Sequence, residues 1–157
     1  MPEPDSIDIR LLGLLQDDAS APIAELCEHV HLSQNACWRR IRRLEEEGFI
    51  RKRVALLDAR KLGVGTTVFV MIKAGQHSEE WLAKFAAAVQ RIPEIVEFYR
   101  MAGDVDYLLK LQVADISAYD AVYKSLIRSA PPADISAVFA MEELKHSTAL
   151  PLPAGKA

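Results

Sequence analysis

Cysteine is scarce in this chain, with two residues in 157. Cys27 and Cys37 make no CxxC pair, so a disulfide framework is excluded and a reduced compartment is expected. Glycine and proline number only 7 and 8, which argues against a fibrous or low-complexity chain. Long apolar runs are missing too. Val68–Ile72 is far shorter than the ~20 residues a membrane-spanning helix needs. The opening MPEPDSIDIR lacks the basic and apolar segments of a signal peptide, so a cytoplasmic protein with no membrane partner is expected. No GxSxG, Walker loop, HExxH or glycine-rich dinucleotide turn occurs; neither an enzyme nor a cofactor is expected. Cys27, His29, His31 and Cys37 lie close in sequence, but their spacing fits no zinc finger and both cysteines fall on apolar helix faces. No metal is expected there. His77 and His146 are isolated.

Positive charge is not in excess either, since 19 Lys+Arg stand against 22 Asp+Glu for a net −3. What the chain does have is local. Between Ser33 and Arg53 lie seven basic and three acidic residues, the acids adjacent at Glu45, Glu46 and Glu47. A stripe of this kind on one face can serve nucleic acid even when the whole protein is acidic.

The first third carries three helical patterns. Ile7, Leu11, Leu14 and Leu15 repeat at helical spacing up to about Gln16. After a break at DDASAP, with Ser20 or Ala21 as cap and Pro22 in the first turn, Ile23, Leu26, Cys27 and Val30 make a second stripe. HVHLS is a tight connection, and Ser33 caps a third helix reaching Glu47, stopped by Gly48. FIRKRVALLD reads as a strand or small hairpin. ARKLGVG, 59–65, is the expected linker between a first domain at 1–58 and a second domain at 66–150, with a mobile proline-rich tail at 151–157. The second domain reads β-α-β-β-α-β: strands in TTVFVMIKA, EIVEFYRMAG, DYLLKLQVA and ISAVFAMEEL, helices in SEEWLAKFAAAVQRI and DISAYDAVYKSLIRSA. VFVMI is apolar on both faces. The last strand carries Ile135, Ala137, Phe139 and Met141 on one side and Val138 and Ala140 on the other. Two helices cover one face, so the other calls for a second copy of the chain, a homodimer.

On the third helix, Cys37, Ile41 and Leu44 form the core stripe. The opposite face centres on Asn35, Arg39 and Arg42, flanked by Trp38 and Arg43, with Gln34 at the tip and Arg40 nearer the core edge. Guanidinium forks match guanine and amides match adenine in the major groove. A helix-turn-helix on double-stranded DNA therefore follows, with Ser33, Gln34, Asn35, Trp38, Arg39, Arg42 and Arg43 at the groove and Arg51, Lys52 and Arg53 near flanking phosphates. Two alternatives stand beside it. The arginines can pair with Glu46 and Glu47 as a solvated face, leaving Arg39 and the RKR run without acidic company. Trp38 can be a core or interface residue.

The segments SIDIRLLGLLQDDASAPIAELCEHVHLS, CWRRIRRLEEEGFI, VALLD and the turn MAGDVDY together resemble the Lrp/AsnC (feast/famine) family of transcriptional regulators, from about Asp5 to Leu150. The resemblance implies an α+β chain: an N-terminal winged helix-turn-helix followed by a ferredoxin-like βαββαβ sensing and dimerisation domain. It also implies dimers assembled further into tetramers or octamers, and an amino-acid effector bound between subunits near Gly103, Asp104 and Asp106. CWRRI, VALLD and FAMEELK look closest to a branch some of whose members are associated with cysteine response. Ser6 and Ile7 depart from the family's usual leucine-aspartate opening.

The residues of that turn allow the same chemistry. Gly103 permits close backbone approach, Asp104 and Asp106 with nearby N–H groups can hold an α-ammonium and an α-carboxylate, and Tyr99, Met101 and Tyr107 can line an apolar edge. The competing reading is a tight hairpin whose aspartates bond only the local backbone. For the chain as a whole, the alternative function is a small-molecule-binding or catalytic ferredoxin-like protein whose basic N-terminal domain docks a protein partner.

Overall fold

The computed structural model describes residues 3–75, 78–129 and 131–153; His77 and the end of the expected tail fall outside them. The chain forms two compact units, one built from residues up to Ala55 together with those from Lys145 on, the other from Leu56–Leu144.

The first unit holds α1 (Ser6–Asp17), α2 (Ile23–Val30) and α3 (Gln34–Glu46). Asp5 starts α1: its carboxylate accepts from the Ile7 and Asp8 amides, and Asp8 returns the favour to the Asp5 amide. That reciprocal arrangement satisfies the donors a helix start leaves open, so the unusual Ser6-Ile7 opening still initiates a helix. Pro22, not Ser20 or Ala21, precedes α2. Ser20 instead bonds Asp18 through both its amide and its hydroxyl, which spends it on the turn. His31 takes the left-handed conformation at φ 54° and ends α2; Ser33 then caps α3 and Gly48, at φ 81°, follows it. Leu11, Leu15, Leu26, Val30, Cys27, Cys37 and Ile41 form the core.

The expected strand or hairpin over 49–58 does not form. Residues 51–58 carry no regular structure and are exposed. A strand needs a hydrogen-bonding neighbour, and this segment finds none among the described residues. Residues 59–65, the expected linker, make a turn of their own. Asp58 caps it by accepting from the Arg60 and Lys61 amides, and the turn closes with Val64 N donating to Ala59 O.

The second unit contains β1 (Thr66–Lys73), α4 (Glu79–Val89), β2 (Ile95–Arg100), β3 (Tyr107–Val113), α5 (Ile116–Ser129) and β4 (Asp134–Phe139). The sheet order is β2-β3-β1-β4 with every pair antiparallel, the ferredoxin-like arrangement read from the sequence. Val68, Val70, Ile72, Leu109 and Leu111 point to the helices and bury with Phe85, Val122 and Leu126. The strand register puts Phe69, Met71, Leu108, Tyr99 and Val138 on the opposite face, where the first three are half-buried and the last two exposed. β4 is shorter than expected. Its pairing with β1 ends at Phe139, so Met141, 98% exposed, continues neither side of the strand. From Lys145 the chain belongs to the first unit. There the Gln16 amide grips Leu150 by accepting from its N–H and donating to its carbonyl, and Leu152 lies over Gly13. By compactness, the unit that holds the sheet ends at Leu144.

Candidate nucleic-acid interface and effector turn

The helix pair α2–α3 is held from behind and beneath. Arg10 of α1 donates to the His29 carbonyl at 2.8 Å, fixing the end of α2 beside the connection. The His31 and Leu32 amides return to carbonyls of the last turn of α2, which makes the corner tight enough to project α3 outward. Cys27 and Cys37, both buried, face one another between the helices. Burial, with the hydrogen bond to Cys27 and its proximity, pushes the Cys37 thiol up to about 12. These are packing residues rather than reactive ones. No three potential metal-binding side chains cluster among the described residues.

α3 exposes Gln34, Asn35, Trp38, Arg39 and Arg42. Its first turn bears no acidic residue, so the positive end of the helix dipole is open to an anion. Ser33, as its cap, accepts only a long bond, 3.4 Å, from Ala36 N. Arg39 meets no carboxylate among the described residues and is fully available. Arg42 is exposed but engaged: it pairs with Glu46 at 2.9 Å and lies over the Trp38 ring, 5.3 Å from its centroid. That contact places Trp38, half exposed at 51%, on the surface of α3. Trp38 and Arg42 border a cleft of about 540 Å³ floored by Ile23, Leu26 and Ile41.

Two expected contacts need correction. Arg43 is not on the outer face. It runs toward α1, bonds the Asp8 carboxylate, and holds its Nε 3.9 Å from Glu47. At 100° per residue, positions 40, 43 and 47 form a stripe beside the core, and that stripe points at α1. Arg53 is not without acidic company either; it bonds Glu45 at 3.0 Å. Arg51 and Lys52 are exposed and show no ion pair among the described residues.

Asp8 escaped the sequence reading. It is the one buried charged side chain among the described residues, 1% exposed. It accepts from Arg40 at 2.8 Å and from Arg43, while Asp5 accepts from the same Arg40 nitrogen at 2.6 Å. Burial works against the Asp5 charge, but the bonds from the Asp8 amide, Arg40 and the Ile7 amide outweigh it and hold that carboxyl below its usual range. Deleting one partner of a fully buried pair costs about 3–5 kcal/mol; here both guanidinia still touch water and the cost is smaller. The available signal was the Asp5-x-x-Asp8 spacing together with two arginines three residues apart.

The candidate effector turn joins β2 to β3. Gly103 sits at φ 147° with open space around its Cα, so the backbone conformation, not crowding, calls for glycine. Asp104 is exposed. Asp106 is bound to its own surroundings: its carboxylate accepts from Ala74 N at 2.8 Å, its amide donates to Ile72 O, and its carbonyl accepts from Met101 N. These bonds tie Asp106 to the end of β1, more than 30 residues away, and not to the hairpin alone. Tyr107 is 6% exposed and packs among Trp81, Phe85 and Phe98, so it does not line an open edge. Tyr99 and Met101 are exposed. The Tyr99 hydroxyl donates to Glu97 at 2.6 Å, and that carboxylate raises the pKa of the phenol.

Known proteins match both units. Residues 4–51 fit a winged helix-turn-helix DNA-binding family, and residues 67–150 fit the Lrp/AsnC ligand binding domain. The glutamate uptake regulatory protein of Zymomonas mobilis is 59% identical over 149 residues, 95% of this chain and 91% of that one. Among solved structures, an AsnC family transcriptional regulator from Agrobacterium tumefaciens superposes with a TM-score of 0.90 at 51% identity, covering 94% and 97% of the two chains. A transcriptional regulator from Neisseria meningitidis, solved as a complex with L-Met, superposes at 0.89 with 31% identity, covering 95% and 97%.

Proposed function

Since the chain belongs to the Lrp/AsnC family of transcriptional regulators, we propose that it reads double-stranded DNA with the outer face of α3 and that a small amino acid modulates the reading. The observation that carries this is the exposed face of Asn35, Arg39 and Arg42 on a short helix braced by α1 and α2. Gln34 and Asn35 reach adenine edges at the tip, and Arg39 reaches guanine. Ser33 and the open end of α3 meet a phosphate, Trp38 borders the same surface, and Arg51, Lys52 and Arg53 follow the flanking backbone. Arg53 leaves Glu45 to do so, at the small cost of a surface pair.

The reading protein is a homo-oligomer acting in the cytoplasm, a dimer at least and a tetramer or octamer by further assembly. The apolar residues on the open sheet face, Phe69, Met71, Leu108 and Val138, favour a second copy as cover. Two reading helices in such a dimer engage successive turns of the groove when they stand about 34 Å apart or a multiple of it. An amino acid bound between copies near Gly103 and Asp104, with Tyr99 and Met101 beside its side chain, shifts DNA binding to the extent that it prefers one arrangement. The L-Met held by the Neisseria relative supports an amino acid as the effector class, and cysteine heads the candidates through the resemblance of CWRRI and FAMEELK. The competing reading, a ferredoxin-like protein that docks a protein partner, is disfavoured because both units match regulator families.

Two measurements test this. Binding to random duplex DNA should weaken steeply between about 50 and 200 mM salt; absence of binding at low salt refutes the DNA reading. A thermal-shift screen over the twenty amino acids should find one that stabilises the native state, by about 2.7 kcal/mol at a hundredfold excess over its Kd. No shift with any of them refutes the effector reading.

A further inference from the structure

The geometry points to Asp8 as a positioning residue for DNA discrimination: through Arg40 and Arg43 it fixes the rotation of α3 and thereby where Arg39 and Arg42 are aimed. This rests on the DNA-binding reading above. The reading and clamping residues alternate along the helix. Arg39 directly precedes Arg40, and Arg42 directly precedes Arg43, so each outward guanidinium is one residue, about 100°, from an inward one. The inward pair reaches α1 at two heights, about 4.5 Å apart along the axis. Arg40 bridges Asp5 and Asp8 at 2.6 and 2.8 Å. Arg43 spans from Asp8 to Glu47, its buried Nε left without a hydrogen bond. Two struts to one carboxylate, one turn apart, oppose both rolling and sliding, which a single ion pair does not.

The apolar stripe cannot do this alone. Cys37, Ile41 and Leu44 supply non-directional contact, which a small rotation barely disturbs. A rotation of about 20° at a side-chain radius of about 6 Å displaces a guanidinium by about 2 Å, whereas hydrogen bonds to base edges tolerate only a few tenths of an ångström. Contacts to phosphate are less demanding, because the backbone presents charge all along the groove. Loosening the clamp should therefore cost discrimination while sparing general affinity. A residue needed only for folding would lower both together.

The test uses the full chain and a pool of duplexes with a random centre, from which wild type selects a motif. Asp8→Asn removes the shared charge. Arg43→Lys is the gentler variant, keeping the cation but losing the planar fork. Leu15→Ala, in the same core, is the control for plain destabilisation. For molecules shown folded by circular dichroism, Asp8→Asn and Arg43→Lys should lose about tenfold or more of the preference for the selected motif over a scrambled duplex, the scale of one good base contact. They should still bind the scrambled duplex at least as well as wild type, with the same salt slope. Leu15→Ala should melt lower yet keep the full preference. If folded Asp8→Asn and Arg43→Lys retain wild-type preference, the positioning role is wrong; should Asp8→Asn not fold, Arg43→Lys alone decides. If wild type itself selects no motif, the DNA reading has failed and the positioning role goes with it, an outcome distinct from the first.

Discussion

Arg39 and Arg42 look equivalent in sequence, yet they differ in what they must give up to meet a base, and that difference is measurable. Arg39 has no carboxylate to leave among the described residues. Arg42 is tied to Glu46 at 2.9 Å and stacked on Trp38 at 5.3 Å. An exposed helical pair is worth about 0.3–0.5 kcal/mol and an exposed cation–π contact about 0.5–1 kcal/mol. Reaching DNA thus costs Arg42 about 1 kcal/mol that Arg39 keeps. A good bidentate base contact is worth about 1–3 kcal/mol. Arg39→Ala should accordingly lower discrimination at one base position by about 5- to 150-fold, and Arg42→Ala by about fivefold less. Arg51→Ala and Lys52→Ala should weaken all sequences alike and each reduce the salt slope by about 1. The assay is competitive gel shift against selected and scrambled duplexes across a salt series. Equal effects from all four variants would refute the division between base and phosphate contacts, and a larger loss from Arg42 than from Arg39 would refute the cost assigned to Arg42.

Asp104→Ala should leave the ligand-free melting temperature unchanged and abolish the amino-acid thermal shift. Asp106→Ala should lower the ligand-free value by the equivalent of about 1 kcal/mol, since Ala74 N loses its acceptor; if both variants melt like wild type, the separation of roles is mistaken. With its thiol pKa near 12, Cys37 should resist iodoacetamide at pH 8 until denaturant is added, and rapid labelling of the native protein would contradict the packing assigned to it. Phe85→Ala should cost about 3–5 kcal/mol, because the ring is fully buried and stacks on Trp81 at 4.9 Å; urea unfolding followed by Trp81 fluorescence in a Trp38→Phe background measures this. The lowered pKa of Asp5 means its contribution is present in full above the ordinary value of 3.8 and disappears as pH falls through the lower folded value. Acid unfolding of Asp5→Asn should therefore be shallower there than wild type, and superimposable curves would deny Asp5 a role.

Local signals in the sequence carried the helices, the corner and the order of the sheet. Ser33 and Gly48 bracket α3 where their capping chemistry places them, and the β-α-β-β-α-β order came from changes in apolar period. What was missed depended on partners far along the chain. Arg43 looked like an outward residue because its acceptor, Asp8, lies 35 positions away. The Leu150 contact joins residues 134 apart, and no proline-rich composition announces it. FIRKRVALLD has strand-like residues but lacks a neighbouring strand among the described residues, and propensity alone does not supply one. At the turn between β2 and β3, Gly103 was legible from its type, whereas Tyr107 was misread because an aromatic beside a turn looks the same whether it stacks inward or outward.

The grip of Gln16 on Leu150 makes the gene-reading half discontinuous along the polypeptide. During synthesis, α1 to α3 emerge early, but the strip over Gly13 is laid down only after the entire sheet has left the ribosome. A truncation drawn after Asp58 would omit that strip and bare the surface beneath it. A reporter fused close behind Leu152 would pull on the same spot, so a tag at the opposite terminus disturbs this piece of the architecture less.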